Sequence, residues 1–184
     1  MQKGQLFFLV GASGSGKDSI LREIRRQAVA GDRIAIVHRY ITRAADDRNE
    51  NHVALTEEEF FVRKKASCFA MHWEANGLYY GVGVEINYWL DAGINVVVNG
   101  SREYLPKALS LYPDLVTMNV AVPNHLLKER LLKRGRESTE EIEQRFGRSS
   151  SLIDVFPENT HVLDNSESVG IAVDQFYQFL RESL

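Results

Sequence analysis

A glycine-rich segment near the start of the chain has the residue types and spacing of a phosphate-binding loop. Gly11-x-x-x-x-Gly16-Lys17 follows a short apolar run and precedes apolar residues at helical spacing. Glycines allow the backbone to curl so that successive N–H groups point at an anion, and the following helix adds its positive end. Lys17 then places a mobile ammonium at the β- and γ-phosphates. The residues expected to bind ATP are Gly11, Ala12, Ser13, Gly14, Ser15, Gly16, Lys17, Asp18 and Ser19.

The residue after the lysine departs from the usual pattern. Serine or threonine normally stands there and ligates Mg²⁺ through its hydroxyl, whereas this chain has Asp18. A carboxylate is also a hard oxygen ligand for Mg²⁺, although its charge would lie close to the β-phosphate. We therefore expect Mg²⁺ as the cofactor and Asp18 as its ligand. The alternative is an ordinary acidic residue in the first turn of a helix.

Strands and helices are predicted to alternate along the chain. Short apolar or β-branched runs predict strands at 5–10, 34–38, 94–98, 115–122 and 160–163. Apolar periodicity or a capping box predicts helices at 19–28, after Thr56, at 124–134, after Ser138 and at 169–180. This alternation indicates an α/β fold with a five-stranded parallel sheet covered on both faces. With the phosphate-binding loop, it is typical of P-loop NTPases.

The length of 184 residues fits a single domain. Residues 39–90 form a long, mixed stretch between two predicted strands, which we interpret as an inserted acceptor-binding subdomain. The core then comprises residues 1–38 and 91–184. The segment 134–148 is charged and punctuated by glycine, which is typical of a mobile lid.

The formal net charge of −3 argues against a protein whose main partner is nucleic acid. No stretch approaches the roughly 20 apolar residues that cross a bilayer, and the first apolar run is too short for a secretory signal. We therefore expect a soluble, cytoplasmic protein with no membrane partner, and a homodimer is one assembly that the sequence leaves open. Cys68 lies in an apolar stretch, which predicts a buried side chain.

The order of the motifs resembles the guanylate kinase branch of the nucleoside monophosphate kinases. The resembling segments are Thr42-Arg43 with Glu50 and Phe60, Gly77-Leu-Tyr-Tyr80-Gly81, Leu131-Leu-Lys-Arg134-Gly135 and Glu141-Ile142-x-x-Arg145-Phe146. The resemblance implies that Arg43 and Tyr80 hold the acceptor phosphate, and that the lid arginines Arg134 and Arg145 contact the transferring phosphoryl group. For Arg130, near the lid, a position on a solvated basic surface is favoured.

The sequence departs from the guanylate kinase pattern at positions that bind the acceptor base and its phosphate. A guanine pocket requires a carboxylate and small hydroxyls, but Met71, Val82 and Arg39 stand at those positions. His52 replaces a phosphate-binding tyrosine. A guanine base would be buried there without polar partners, so such a site should reject it. The added cations suit an acceptor with more negative charge, such as a bisphosphate.

A closer resemblance is to the ribose 1,5-bisphosphate phosphokinases of phosphonate breakdown. It rests on Gly14-Ser-Gly-Lys-Asp-Ser19, His38-Arg-Tyr-Ile-Thr-Arg43, Asn76-Gly-Leu-Tyr-Tyr-Gly-Val-Gly-Val-Glu85 and Val98-Asn-Gly-Ser-Arg102. The resemblance implies transfer of the γ-phosphoryl group of ATP to the 1-phosphate of ribose 1,5-bisphosphate, giving 5-phosphoribosyl 1-diphosphate and ADP.

Three further polar residues follow a predicted strand at its carboxyl end, where ligands bind in open α/β sheets. Asn99, Ser101 and Arg102 are therefore candidate acceptor contacts beside Arg39, Arg43, His52 and Tyr80. For Ser101 the alternative is a helix N-cap.

Three other functions stay open at this point. A guanylate kinase with an unusual base site is one, although Met71 and Val82 argue against it. A small-molecule hydroxyl kinase of the gluconate or shikimate type is the second, with Asp46 or Asp47 as its base, although the segment Tyr79-Tyr80-Gly81 argues against it. The third is a binding module that has lost catalysis, against which the intact Lys17 argues.

Overall fold

The structure, a computed structural model, describes residues 2–44, 52–134 and 156–183, and of residues 134 and 183 only the backbone. The strands are β1 (Leu6–Val10), β2 (Ile34–Ile36), β3 (Arg39–Ile41), β4 (His52–Ala54), β5 (Phe69–Ala75), β6 (Leu78–Gly83), β7 (Asn95–Asn99), β8 (Val116–Ala121) and β9 (His161–Asp164). The helices are α1 (Lys17–Gln27), α2 (Glu57–Lys65), α3 (Glu85–Asp91), α4 (Leu105–Leu111), α5 (Asn124–Arg134) and α6 (Val169–Ser183).

Five of these strands form a parallel sheet with the order β2-β7-β1-β8-β9. All five residues of β1 and of β7 are buried, as expected for strands covered on both faces. The predicted α/β fold with a five-stranded parallel sheet is therefore confirmed. Each predicted strand of this sheet is present within two residues of its expected bounds. None of the helices among the described residues is long and apolar enough to cross a membrane.

The chain divides into two compact units. One comprises Met1–Phe8, Ala28–Asn99 and Lys107–Leu115, and the other comprises Leu9–Gln27, Gly100–Pro106 and Val116–Leu184. The division into core, insertion and lid drawn from the sequence stays a prediction.

The first unit contains a second, four-stranded sheet with the order β4-β3-β6-β5. β3 pairs parallel with β4 and antiparallel with β6, and β5 pairs antiparallel with β6. Helix α2 covers one face, where Phe60 stacks on Phe69 and Tyr79 with centroids 4.9 and 5.5 Å apart. An irregularity in the pairing of β5 between Phe69 and Met71 lets Phe69 contact the helix although Met71 belongs to the other face.

The predicted start of α2 is confirmed at Thr56. Its hydroxyl accepts a hydrogen bond from the Glu59 N–H at 3.1 Å, and the Glu59 carboxylate pairs with Arg63 one turn later. The expectation that Cys68 is buried is wrong, since this side chain is exposed. The apolar stretch enters the sheet only at Phe69. Cys68 lies in the turn that ends α2, where Ser67 has a positive φ of 56°.

The second unit packs helices α1 and α6 against each other. Ile20, Leu21 and Ile24 form the buried face of α1, as the spacing predicted. In α6, Val173 and Phe176 are completely buried, and the Tyr177 hydroxyl donates to the Ile24 carbonyl at 3.1 Å. The phosphate-binding segment therefore leads into a helix with a well-packed buried face.

Candidate functional site

The glycine-rich segment forms a tight loop between β1 and α1, as predicted. Gly14 and Gly16 have φ of 82° and 90°, which side chains with a Cβ rarely adopt. The Ser15 N–H donates to the Ala12 carbonyl at 3.1 Å, and α1 begins at Lys17. The loop thus leads directly into the N-terminus of an eleven-residue helix, the setting in which backbone N–H groups and the helix dipole bind phosphate.

Lys17 lies within the loop that it is expected to serve. Its ammonium donates to the carbonyl oxygens of Gly11 at 2.8 Å and Ala12 at 3.3 Å. A nucleotide phosphate is a stronger, charged acceptor than a carbonyl and could take over these hydrogen bonds.

Asp18 lies in the first turn of α1 with its side chain exposed. Among the described residues no group of three or more His, Cys, Asp or Glu side chains forms a metal cage. Proteins usually hold Mg²⁺ through one or two carboxylates together with substrate phosphates and water. An exposed carboxylate next to the loop lysine has the chemistry and the position for this role, so the donor set fits Mg²⁺.

The turn after β9 contacts the phosphate-binding loop. The side-chain amide of Asn165, only 2% exposed, donates to the Ser15 carbonyl at 2.7 Å. Arg130 on α5 is half-buried and donates to the carbonyls of Asn165 at 2.9 Å and Ser166 at 3.4 Å. The expectation of a solvated surface position for Arg130 is therefore wrong, because α5 brings its guanidinium to the carbonyls of this turn.

Three predicted acceptor residues share one face of the four-stranded sheet. Arg39 lies opposite His52 in the pairing of β3 with β4, and Ile41 lies opposite Tyr80 in the pairing of β3 with β6. Residues two apart in a strand point to the same side. Arg39, His52 and Tyr80 therefore belong to the face that α2 leaves uncovered, which we call the acceptor face.

Aromatic stacking and a cation–π contact organise the acceptor face. The Arg39 guanidinium lies 5.4 Å from the centroid of the Tyr80 ring, and its Nη1 donates to the Asn99 carbonyl at 3.4 Å. The indole of Trp73, on the neighbouring strand, stacks on the same tyrosine with centroids 5.5 Å apart. Trp73 was not among the sequence candidates. Its position opposite Tyr80 depends on the hairpin register, which the motif Tyr79-Tyr80-Gly81 alone does not reveal.

Backbone contacts hold Arg43 next to this face. The Thr42 hydroxyl accepts from the Tyr79 N–H at 2.9 Å, and the Thr42 N–H donates to the Tyr79 carbonyl at 3.1 Å. His52 Nε2 lies 3.4 Å from the Arg43 carbonyl, to which it can only donate. The structure thus brings Arg39, Arg43, His52 and Tyr80 together within one small sheet and the turn that follows β3.

Met71 and Val82 are paired across β5 and β6, and both side chains are completely buried. They occupy the positions at which the guanylate kinase pattern has a carboxylate and a hydroxyl. Two apolar, fully packed side chains cannot hydrogen-bond a base edge. This supports an acceptor without guanine.

The remaining acceptor candidates follow β7. Asn99 ends the strand and is buried, at 5% exposure. Ser101 is not a helix N-cap, since α4 begins only at Leu105. Arg102 is half-buried, and this burial lowers the pKa of its guanidinium, with the nearby Glu103 carboxylate opposing the shift. An arginine in such surroundings still carries its charge at neutral pH and gains from an anionic partner.

Several candidates lie outside the described residues. They are the side chain of Arg134, and Arg145 with most of the lid segment 134–148. The same holds for the candidate bases Asp46 and Asp47 and for Arg48. Their roles stay predictions.

The chain is similar in sequence to several known proteins that share one name. No family model matches the sequence. The chain is 44% identical over 179 residues to "Ribose 1,5-bisphosphate phosphokinase PhnN" of Psychromonas ingrahamii, covering 97% of this chain and 91% of the relative. It is 44% identical over 184 residues to the protein of that name from Thiobacillus denitrificans, covering 100% and 96%. It is 45% identical over 179 residues to the protein of the same name from Klebsiella pneumoniae, covering 97% of this chain and 93% of that relative.

Solved structures agree on the fold. A guanylate kinase from Anaplasma phagocytophilum matches with a TM-score of 0.74 at 18% identity, over 100% of this chain and 87% of that one. A gluconokinase from Sinorhizobium meliloti matches with a TM-score of 0.53 at 16% identity, over 100% and 95%. At such identities the likeness concerns the fold alone.

Proposed function

The chain belongs to the family of ribose 1,5-bisphosphate phosphokinases, and we propose that it transfers the γ-phosphoryl group of ATP to the 1-phosphate of ribose 1,5-bisphosphate, giving 5-phosphoribosyl 1-diphosphate and ADP. The family makes the protein a phosphotransferase. The observation that carries the choice of acceptor is the acceptor face, where Arg39 and His52 accompany Tyr80 and no base-reading polar side chain stands at Met71 or Val82.

On the donor side, the phosphate-binding loop and the start of α1 hold the ATP phosphates. Backbone N–H groups of the loop donate to phosphate oxygens, and Lys17 exchanges its contacts with the Gly11 and Ala12 carbonyls for the β- and γ-phosphates. Asp18 is the protein ligand of Mg²⁺, which when bound offsets the charge of the β- and γ-phosphates.

On the acceptor side, positive charge is the main requirement. Ribose 1,5-bisphosphate carries up to about four negative charges, and arginine offers a planar fork for phosphate oxygens. Arg39, Arg43, His52 and Tyr80 bind one phosphate group, and Asn99, Ser101 and Arg102 are the further acceptor contacts. The side chains of all seven residues are buried or half-buried. Charge-assisted hydrogen bonds are stronger there because the local dielectric constant is lower than in water.

The chemical step requires no strong general base. The nucleophile is an oxygen of the 1-phosphate, which is already anionic at pH 7. It attacks the γ-phosphorus of ATP, the bond from that phosphorus to the bridging oxygen breaks, and ADP leaves with the electron pair. Arg134 and Arg145 of the lid segment 134–148 neutralise the charge of the transferring group.

Resemblance to the same family supports a wider proposal about domains, location and cofactor. Residues 39–90 form the acceptor-binding insertion in a core of residues 1–38 and 91–184. The protein acts in the cytoplasm, in phosphonate breakdown, on two small phosphorylated substrates and without a nucleic-acid or membrane partner. Magnesium accompanies ATP as the cofactor.

The decisive experiment measures ADP release from Mg-ATP with four separate acceptors: ribose 1,5-bisphosphate, GMP, gluconate and shikimate. We expect turnover with the bisphosphate and formation of 5-phosphoribosyl 1-diphosphate, identified by phosphorus NMR. Lys17→Ala serves as the control that assigns turnover to the phosphate-binding loop, and it should lower kcat by about three orders of magnitude or more while the circular dichroism spectrum is retained.

Each other result of this panel refutes the proposal. Turnover with GMP alone would make the protein a guanylate kinase. Turnover with gluconate or shikimate alone would make it a small-molecule hydroxyl kinase. Binding of ATP without any turnover would favour a binding module.

A further inference from the structure

Asn165 is a buried residue that the proposed reaction does not yet use. It directly follows β9, and its side chain points at the phosphate-binding loop, where Nδ2 donates to the Ser15 carbonyl at 2.7 Å. A carbonyl oxygen only accepts hydrogen bonds, so the amide must present its NH₂ group to it. The Asn165 Oδ1 is buried and has no hydrogen-bond partner among the described residues. The contact with Ser15 therefore determines how this amide is oriented.

Several hydrogen bonds fix the turn that contains Asn165. The Asp164 N–H donates to Gln175 Oε1 at 2.7 Å, the Asn165 N–H to the Ala121 carbonyl at 3.0 Å, and the Ser166 N–H to Asp164 Oδ1 at 2.9 Å. Hydrogen bonds from the side chain and the backbone N–H of Ser166 lower the pKa of the Asp164 carboxyl. Arg130 adds two hydrogen bonds to carbonyls of the same turn. The turn is thus a rigid support from which one side chain reaches the loop.

The contacted peptide group is central to phosphate binding. The Ser15 carbonyl and the Gly16 N–H belong to one planar trans peptide, so they point in opposite directions. When Asn165 holds the carbonyl on its own side, the Gly16 N–H must point away from Asn165. A Cβ atom at Gly16 would collide with the Asn165 amide, which shows how closely the two are packed. Glycine also permits the φ of 90° that this peptide orientation requires.

We propose that Asn165 is a positioning residue of the donor site: it fixes the Ser15–Gly16 peptide so that the Gly16 N–H is directed at a nucleotide phosphate before the nucleotide binds. Without this hydrogen bond the peptide can rotate, and the loop then has to order itself on binding. The inference rests on the proposed binding of ATP by this loop. It does not depend on the identity of the acceptor.

The test compares nucleotide binding by the wild type, Asn165→Ala and Asn165→Ser in calorimetric titrations with Mg-ADP and with Mg-ATP, without acceptor. Asn159→Ala is the matched control, since Asn159 is an exposed asparagine in the preceding turn. Removing one hydrogen bond in a buried site corresponds to about a tenfold change in affinity. We expect Asn165→Ala to weaken binding of both nucleotides by about tenfold, Asn165→Ser by a similar or smaller factor, and Asn159→Ala by less than about twofold.

A second measurement separates positioning from folding. The wild type and Asn165→Ala are compared by amide hydrogen exchange of the loop peptide 11–19 at a temperature at which both are folded. We expect this peptide to exchange more slowly in the nucleotide-free wild type than in the nucleotide-free variant, because the hydrogen bond to Ser15 orders the loop before the nucleotide binds. A lowered melting temperature with unchanged nucleotide affinity and unchanged protection would refute the proposal, because the residue would then be structural only.

The result for Asn165 can be distinguished from the result of the acceptor experiment. Failure of ribose 1,5-bisphosphate as an acceptor would leave the titrations unaffected. Equal affinity of the wild type and Asn165→Ala would refute the role of Asn165 while leaving the proposed reaction intact. Should Asn165→Ala not fold, Asn165→Ser decides the question by the same two measurements.

Discussion

The indole of Trp73 and the ring of Tyr80 lie parallel, with planes 3° apart and centroids 5.5 Å apart. The guanidinium of Arg39 lies over the same tyrosine ring. Tyrosine and arginine are both groups that bind phosphate, and each has considerable rotational freedom when unpacked. The buried tryptophan, at 8% exposure, restricts that freedom and so links the packing of the small sheet to the geometry of the acceptor face.

Removing the indole should therefore impair use of the acceptor. Trp73→Ala is expected to raise the KM for ribose 1,5-bisphosphate by about three- to tenfold, since aromatic pairs contribute about 0.5–1.5 kcal/mol beyond burial. Trp73→Phe should retain most of the stacking and stay within about threefold of the wild type. Trp89→Phe, at the other tryptophan of the chain, is the control. A rise in the KM for ATP equal to that for the acceptor would argue for general destabilisation.

Arg39 should matter for the acceptor far more than for ATP. Arg39→Ser removes a cation from the acceptor face, and loss of a charge-assisted hydrogen bond to phosphate costs about 1.5–3 kcal/mol. Steady-state kinetics should show the acceptor KM increased by about ten- to a hundredfold, with the KM for ATP within about twofold. Arg25→Ser, at an exposed position of α1, is the matched control. An unchanged acceptor KM would mean that Arg39 has no part in binding it.

Asp18 should affect the dependence on Mg²⁺. Asp18→Asn keeps the size of the side chain but removes the charge that makes it a good ligand for a hard cation. Turnover measured against free Mg²⁺ should require about tenfold more metal for half-maximal rate in this variant. Asp18→Ser restores the usual residue after the loop lysine and should require less metal than Asp18→Asn. If both variants follow the magnesium curve of the wild type, Asp18 is an ordinary first-turn acid.

Protonation of His72 should destabilise the fold in mild acid. Burial lowers the pKa of His72 below its ordinary value of 6.5, and the nearby Lys64 ammonium contributes to the shift. The unfolded chain therefore binds this proton more readily than the folded chain. The free energy of unfolding contributed by His72 is fully present above about pH 6.5 and decreases as the pH falls below that value.

The measurement is the melting temperature of the wild type and of His72→Gln between pH 5 and pH 8. We expect the wild type to lose more of its melting temperature than the variant from pH 7 to pH 5.5. Parallel curves for the two proteins would show that His72 does not contribute to the acid sensitivity.

The two halves of the site differ in how far the sequence predicts them. The phosphate-binding loop is local: its glycines, its lysine and the helix after it are neighbours in the chain, so spacing alone predicted the loop and the start of α1. The strands of the large sheet were predicted because each is a short, continuous apolar run. The strands of the small sheet were not, because β3, β4, β5 and β6 mix polar and apolar residues and bury only some of them.

Contacts between distant parts of the chain account for the remaining differences. Arg130 reads as a surface residue when only its own helix is considered, and the resemblance to related kinases places Asn165 only in a loop on the nucleotide side, without a partner for its side chain. The structure joins them, and Asn165 contacts Ser15 across 150 positions of sequence. Cys68 is the opposite case, since its neighbours are apolar but the turn at Ser67 directs its side chain to solvent.

By itself, the sequence determined that the protein has a nucleotide phosphate-binding loop, an α/β fold and a family of kinases to which it belongs, because these depend on residues that are close together or on motifs in a characteristic order. Only the tertiary structure decided that Trp73 stacks on Tyr80, that Arg39, His52 and Tyr80 share a face, and that Asn165 holds the Ser15–Gly16 peptide. Strand register and the packing of the turn after β9 produce these contacts, and both are set by the burial of side chains from across the chain.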